Sequence, residues 1–187
     1  MKIAILHLSD LHIDSKNYQW LTKKTKQIVS AVWNNFSECG KIVIVVSGDI
    51  AYSGKKEQYD YAKDFFRALL RAFAEKKLGY IELYNKIICV PGNHDCDFDI
   101  NDNARKMLLT SIRSNAGMVD ESVYNVISAV QNNFKEFAKD IMIDKTFSLS
   151  INNNVIVNAG DKAILFRLYN TAWMSSLKEE QNSIVMP

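Results

Sequence analysis

The sequence predicts an α/β fold, and three observations support that class. Short apolar runs typical of buried strands alternate with longer segments that carry apolar residues at helical spacing. The order strand, helix, strand, helix, strand is that of a chain building a parallel sheet. The chain has 187 residues, of which 48% are hydrophobic and 24% charged, so one domain of ordinary size can form a full core.

Three buried strands are predicted in the first half of the chain. They cover residues 2–8, 41–46 and 86–90, and the β-branched run at 42–46 is the clearest of them. Helices at about 18–38 and 56–77 connect the strands, and the second has an apolar face made of Tyr61, Phe65, Phe66, Leu69, Leu70 and Phe73. His7, on the first strand, is predicted to pack in the core.

The second half of the chain is predicted to begin with a helical insertion around 100–140. Two helices are expected at 103–115 and 121–139, and the acidic residues before them, Asp97, Asp99 and Asp102, are expected to cap helices. A strand at 146–151, a turn at 152–154 and a return strand from 155 are predicted next, followed by a strand at 162–169.

Composition excludes several classes of protein. The net charge of +2 makes no electrostatic case for nucleic acid or membrane as a partner, and no apolar run approaches the roughly 20 residues needed to span a bilayer. Cys39, Cys89 and Cys96 show no paired metal spacing and are predicted to be reduced, and Cys96 is predicted to be a small buried thiol. A cytoplasmic protein without a signal peptide is the resulting expectation.

Polar side chains follow each of the three predicted strands at the point where the strand ends. Asp10-Leu11-His12 follows the first, Gly48-Asp49 the second and Pro91-Gly92-Asn93-His94-Asp95 the third. In a parallel sheet these ends lie at one edge, where open α/β sheets bind their ligands. Asp10 and His12 are two residues apart, so in an extended segment their side chains share a face.

The types of side chain at these strand ends predict a metal site. Oxygen ligands mixed with imidazole suit Mn²⁺, Fe or Zn²⁺ better than Ca²⁺. Asp49 carries two carboxylate oxygens, so it can bridge two cations about 3.5–4 Å apart. Two such ions can polarise a phosphoryl group, generate hydroxide near neutral pH and clamp an in-line displacement.

Taken together and in this order, the three motifs resemble those of the calcineurin-like metallophosphoesterase superfamily. Asp10-x-His12, Gly48-Asp49 and Gly92-Asn93-His94-Asp95 match its first three motifs, and Asn170-Thr171-Ala172-Trp173 is similar to a segment of some bacterial members. The specific match covers roughly the first hundred residues. The resemblance implies a four-layer αββα sandwich in which two facing mixed sheets are flanked by helices.

The resemblance also implies a role for each matching residue. Asp10 and His12 would bind the first metal, Asp49 would bridge, and Asn93 would bind the second. His94 would be catalytic and protonate the leaving alkoxide or hold the phosphate, so Asn93 and His94 would both contact substrate. The cofactor would be two divalent ions, with Mn²⁺ favoured and Fe, Zn²⁺ or Mg²⁺ as alternatives. Asp95 is expected to orient the loop.

The sequence departs from the superfamily pattern in two places. No Asp-Arg-Gly follows Asp49, which makes phosphoprotein a poor substrate. The later histidine motifs are missing, since the only histidines are His7, His12 and His94. Residues 1–187 are therefore expected to be the N-terminal part of a metallophosphoesterase domain, with low activity alone and with further domains in the full-length chain.

Three functions remain open at this stage. The first is a two-metal hydrolase of phosphomonoesters or phosphodiesters, with nucleotides or nucleic acid among its candidate substrates. The second is a non-catalytic binding or scaffold module that keeps the fold with an incomplete metal site. The third, a simple nucleotide-binding α/β domain, is disfavoured because the sequence has no Gly-rich phosphate loop.

Overall fold

The first half of the chain folds around a three-stranded parallel sheet. The computed structural model describes residues 1–76, 82–142, 150–179 and 183–185. Strands β1 (Ile3–Leu8), β2 (Lys41–Val46) and β3 (Glu82–Cys89) lie in the order β1-β2-β3. Helices α1 (Tyr18–Phe36) and α2 (Lys56–Lys76) connect them, as predicted. The α/β class is confirmed, and β3 begins four residues earlier than predicted.

The register of this sheet places the three strand ends at the same level. Leu8 pairs with Val46, and Val46 pairs with Cys89. The segments that follow the strands therefore leave the sheet from one edge, as the parallel order requires.

The edge strand β1 has one buried face and one exposed face. Ala4 and Leu6 are buried, whereas Ile5 and His7 are exposed. The prediction that His7 packs in the core is wrong, because an apolar run does not reveal that its strand lies at a sheet edge. His7 Nε2 instead lies 2.8 Å from the hydroxyl oxygen of Ser47.

One apolar core joins the sheet to the helices and to the second sheet. The aromatic face of α2 contributes as predicted, and its fully buried rings are Phe65, Phe66 and Phe73. Phe134 and Phe137 bring a later helix into the same core. Burial of each phenylalanine stabilises the fold by roughly 1.5–3 kcal/mol. This core therefore holds the strands, and with them the strand ends, in place.

The helical insertion is present, but it is divided differently from the prediction. It contains α3 (Asn103–Ser114), α4 (Glu121–Ile127) and α5 (Asn132–Ile141). The expected single helix at 121–139 is interrupted by a 3-10 turn, Ser128–Gln131, whose end residues are both buried. Asp102 caps α3 by accepting from Arg105 N at 2.8 Å, and Asp97 accepts from Asp99 N at 3.1 Å, as expected for capping.

The second sheet is an antiparallel hairpin of β4 (Asn152–Ala159) and β5 (Lys162–Tyr169). The turn predicted at 152–154 is wrong, since these residues pair with 167–169 of β5 as part of β4. The strand predicted at 146–151 falls on 146–149, outside the described residues, and on 150–151, which precede β4. Val155, Val157 and Leu168 bury the inner face of the hairpin in the main core.

Candidate metal centre

The segments after β1 and β2 run side by side and extend the backbone pairing beyond the sheet. Ser47 N donates to Leu8 O at 3.1 Å, Asp10 N to Gly48 O at 3.3 Å and His12 N to Asp49 O at 3.0 Å. These backbone bonds, rather than side-chain contacts, bring the first two motifs together.

Three of the four predicted metal ligands lie on left-handed backbone. The values of φ are 54° at Asp10, 45° at His12 and 54° at Asp49, and among the described residues no other non-glycine residue has a positive φ. Such backbone costs about 1–3 kcal/mol per residue and persists only where the surroundings enforce it. Its concentration at these three positions makes the sheet edge a candidate functional site.

Two glycines allow the second and third motifs to touch. Gly48 has φ of 109°, and a Cβ there would lie 2.9 Å from the Gly92 backbone. A Cβ on Gly92 would lie 2.1 Å from Asp49 Oδ1. Because neither glycine carries a side chain, the two loops can approach closely. The third motif then reaches the carboxylate of Asp49 in the second motif.

The clustered donor atoms have the chemistry of a metal site. One potential ligand atom from each of His12, Asp49 and His94 lies within 4.8 Å of the others. Asp10 Oδ1 lies 3.9 Å from His12 Nε2. His12 Nδ1 is buried and, within the described part of the chain, has no hydrogen-bond partner. A buried ring nitrogen without a hydrogen-bond partner is consistent with a side chain that binds a cation.

A cleft of about 340 Å³ opens at this edge of the sheet. Asp10, Asp49 and Asn93 line it, so the cleft reaches three of the four predicted ligands, and His12 joins them through the donor cluster with Asp49. The lining also includes Thr171 from the segment after β5. The structure thus brings all four predicted ligands to one place.

His94 is held by two hydrogen bonds that fix its position and its tautomer. Its backbone N–H donates to Asp49 Oδ1 at 2.9 Å, and its Nδ1 lies 2.7 Å from the carbonyl oxygen of Tyr52. A carbonyl only accepts, so Nδ1 carries the proton and Nε2 remains available to bind a cation or to exchange a proton. Sequence analysis missed Tyr52 because a backbone carbonyl has no residue signature.

Asp95 lies behind the site and ties the third motif to the second. Its buried carboxylate accepts from the backbone N–H groups of Gly92 and Ala51, both at 2.9 Å, and of Ile50 at 3.2 Å. The Tyr59 hydroxyl donates to it at 3.0 Å. Burial raises the pKa of Asp95 to about 6 even though these four donors favour the charged form. This geometry matches the orienting role expected for Asp95.

A buried amide pair lies next to the segment that brings Thr171 and Ala172 to the cleft. Asn170 Nδ2 donates to Gln131 Oε1 at 2.8 Å, and Gln131 Nε2 donates back to Asn170 Oδ1 at 3.3 Å. The pair joins the helical insertion to the segment that carries Thr171 and Ala172 into the cleft. Glu179 also lines the cleft, and no sequence motif indicated it.

Comparison with known proteins agrees with this geometry. A family model described as calcineurin-like phosphoesterase matches residues 3–182. The chain is 26% identical over 148 residues to the "Uncharacterized metallophosphoesterase-like protein YydB" of Bacillus subtilis (strain 168). That alignment covers 76% of the chain and 28% of the relative, so the chain spans less than a third of the relative's length. No solved structure matches the chain significantly.

Proposed function

The chain belongs to the calcineurin-like phosphoesterase family, and from that membership we propose that it hydrolyses phosphoesters with two divalent metal ions. The observation that carries the proposal is the cluster of His12, Asp49 and His94 donor atoms, all within 4.8 Å of one another, beside Asp10 and Asn93. Phosphomonoesters and phosphodiesters are both candidate substrates, with nucleotides or nucleic acid among them.

The proposed ligands divide between two cations. Asp10, His12 and Asp49 would hold the first ion, and Asp49 with Asn93 would hold the second. Carboxylate, amide and imidazole donors suit Mn²⁺ or Fe, with Zn²⁺ and Mg²⁺ as alternatives. Divalent ions bound here supply positive charge that polarises a phosphoryl group and favours the ionisation of water near neutral pH.

The proposed role of His94 is to hold the proton that the leaving group needs. Its Nδ1 donates to the Tyr52 carbonyl, which orients the ring and leaves Nε2 as the atom that exchanges a proton. The backbone bond from His94 to Asp49 keeps this ring beside the metal ligands. A positioned acid of this kind contributes roughly 10²–10⁴-fold to rate.

A non-catalytic binding module is the second candidate function. The observation in its favour is that the second ion has only Asp49 and the neutral amide of Asn93 among the proposed ligands. A neutral amide is a weaker ligand than a carboxylate, so the second ion would be loosely held. In that case the fold would bind phosphate or metal without turning over an ester.

Three buried cysteines, Cys39, Cys89 and Cys96, remain as free thiols, and they support the further proposal that the protein works in the reducing cytoplasm. Among the described residues no helix is both long and apolar enough to cross a bilayer.

The decisive experiment measures hydrolysis and metal binding on the same protein. The purified full-length protein is stripped of metal, titrated with Mn²⁺ by calorimetry and assayed with p-nitrophenyl phosphate and bis(p-nitrophenyl) phosphate. We expect hydrolysis that depends on Mn²⁺. Metal binding without hydrolysis of any phosphoester supports the binding module. The absence of both metal binding and hydrolysis would contradict both candidates.

A further inference from the structure

A second cleft, of about 350 Å³, lies next to the candidate metal centre. Asn93 lines both clefts, whereas His94 lines only the second. The residue proposed to protonate the leaving group thus belongs to this second cleft. An alcohol that takes its proton from His94 must place its oxygen at His94, and the rest of that alcohol then extends into the adjoining space.

The wall of the second cleft offers apolar surface suited to a ring. It includes the side chains of Tyr52, Phe98 and Leu177. Tyr52 is 54% exposed and Leu177 is 77% exposed, so both are free to contact a ligand. The Tyr52 ring lies 5.9 Å from the His94 ring, centroid to centroid, next to where the leaving oxygen would be.

Apart from His94, the charged side chains among the described residues of this cleft are one lysine and two aspartates. Lys55 Nζ lies 2.5 Å from Asp97 Oδ1 and also pairs with the carboxylate of Asp99. One positive and two negative groups sum to −1 in formal charge before His94 is counted. Both carboxylates contact the same ammonium group, but Asp97 is nearly buried whereas the Asp99 side chain is 83% exposed, so Asp99 is the carboxylate at the open rim. Lys55, already paired twice, does not serve as a free phosphate-binding cation.

We propose that this second cleft receives the leaving-group alcohol and selects uncharged, ring-bearing alcohols such as nucleosides over alcohols that carry a further anionic group. The apolar wall favours a ring, and the charge at Asp99 disfavours a second phosphate or a carboxylate. The proposal deepens the function proposed above and depends on it. The proposal specifies the charge and the shape of the leaving group that the second cleft accepts.

The test uses three aryl phosphates that differ in the charge of the leaving group. These are phenyl, 4-carboxyphenyl and 4-(aminomethyl)phenyl phosphate, used as monoesters or as methyl diesters, whichever the full-length protein hydrolyses. Rates are compared with those of uncatalysed hydrolysis to remove intrinsic reactivity. We expect kcat/KM for the 4-carboxyphenyl ester to be about tenfold below that of the phenyl ester, and the aminomethyl ester to equal or exceed the phenyl ester.

Two variants should move this selectivity in opposite directions. Asp99→Asn removes the rim charge and should reduce the tenfold penalty to about threefold or less. Lys55→Met removes the compensating cation and should increase it. Asp161→Asn makes the same charge change as Asp99→Asn in the exposed turn of the β4–β5 hairpin, outside both clefts, and should leave the penalty unchanged.

A binding measurement separates failure of this inference from failure of the proposed hydrolysis. Calorimetry with the three corresponding arylphosphonates, which are not hydrolysed, should give the same order of affinity in the presence of Mn²⁺. Equal kcat/KM values, or equal affinities, for all three would overturn the selectivity of the cleft. Ordered affinities without any hydrolysis support the cleft and contradict the hydrolase.

Discussion

The hydroxyl group of Tyr59 donates a hydrogen bond of 3.0 Å to Oδ1 of Asp95, and both side chains are almost completely buried. Tyr59 belongs to α2 and Asp95 to the loop after β3, so the bond joins a helix of the main core to the third motif. The same hydroxyl lies 3.2 Å from the Asp95 carbonyl oxygen. Because Asp95 follows His94 in the chain, this pair links the loop that carries His94 to the packing of α2.

Tyr59→Phe should therefore lower the free energy of unfolding by about 1–2 kcal/mol, because a buried carboxylate loses one of its donors. Urea denaturation of the metal-free protein measures the change. Tyr61→Phe is the matched control, since the Tyr61 hydroxyl bonds to Glu57 at the protein surface. A loss in Tyr59→Phe no larger than that in Tyr61→Phe would show that the bond adds nothing to stability.

Gly92→Ala should disturb the metal centre directly. The added methyl group would lie 2.1 Å from Asp49 Oδ1, although φ of −102° at Gly92 suits alanine. We expect a loss of about 1–3 kcal/mol in stability from overpacking and at least a tenfold loss of Mn²⁺ affinity by calorimetry.

Gly160→Ala is the control for the Gly92 substitution. Gly160 has φ of 68°, and a methyl group there meets nothing within 4 Å. It should lose about 1–2 kcal/mol through backbone strain alone and keep its Mn²⁺ affinity. Unchanged affinity in Gly92→Ala would mean that the close approach of the two loops is not needed for metal binding.

Asp49→Asn should weaken Mn²⁺ binding more than the same change at Asp10. The Asn side chain can still accept from His94 N, so the loop is kept while the charge proposed to be shared by two cations is lost. Isothermal calorimetry gives stoichiometry and affinity for each variant, with Asp161→Asn as the charge control. Wild-type affinity in Asp49→Asn would rule out a bridging carboxylate.

His94→Ala should lower kcat by roughly 10²-fold or more and leave the metal content nearly unchanged if His94 donates a proton. An ester of p-nitrophenol, whose leaving group needs little protonation, should recover part of the loss. Metal analysis of the purified variant provides the second measurement. Loss of metal together with rate would instead make His94 a ligand, an arrangement that its closeness to His12 and Asp49 permits.

The strand ends could be predicted from sequence because local signals mark them. An apolar run, followed by serine or proline, then glycine and a polar side chain, identifies where β2 and β3 stop. Asp49 and His94 could thus be placed at one edge without a structure. The distance between Asp49 and His94, and the hydrogen bond from His94 to the Tyr52 carbonyl, could not be predicted from sequence. Both depend on loops that pack across the fold.

The second half of the chain was harder to predict because distant contacts override local preference. Three consecutive asparagines at 152–154 favour a turn, but pairing with 167–169 incorporates them into β4. Gln131 ends the 3-10 turn before α5 and forms its amide pair with Asn170, 39 residues away. Neither partner is visible in the local sequence of the other.

The left-handed backbone at Asp10, His12 and Asp49 lowers the stability of the protein at residues that are also proposed to bind metal. Glycine adopts such backbone without strain, so glycine at position 10 or 12 would relax the chain and also remove a proposed ligand, whereas glycine at position 49 would also lose the acceptor of the His94 backbone N–H. A laboratory selection of the metal-free protein for heat resistance alone should therefore enrich glycine at positions 10 and 12, and its survivors should fold well and bind metal weakly.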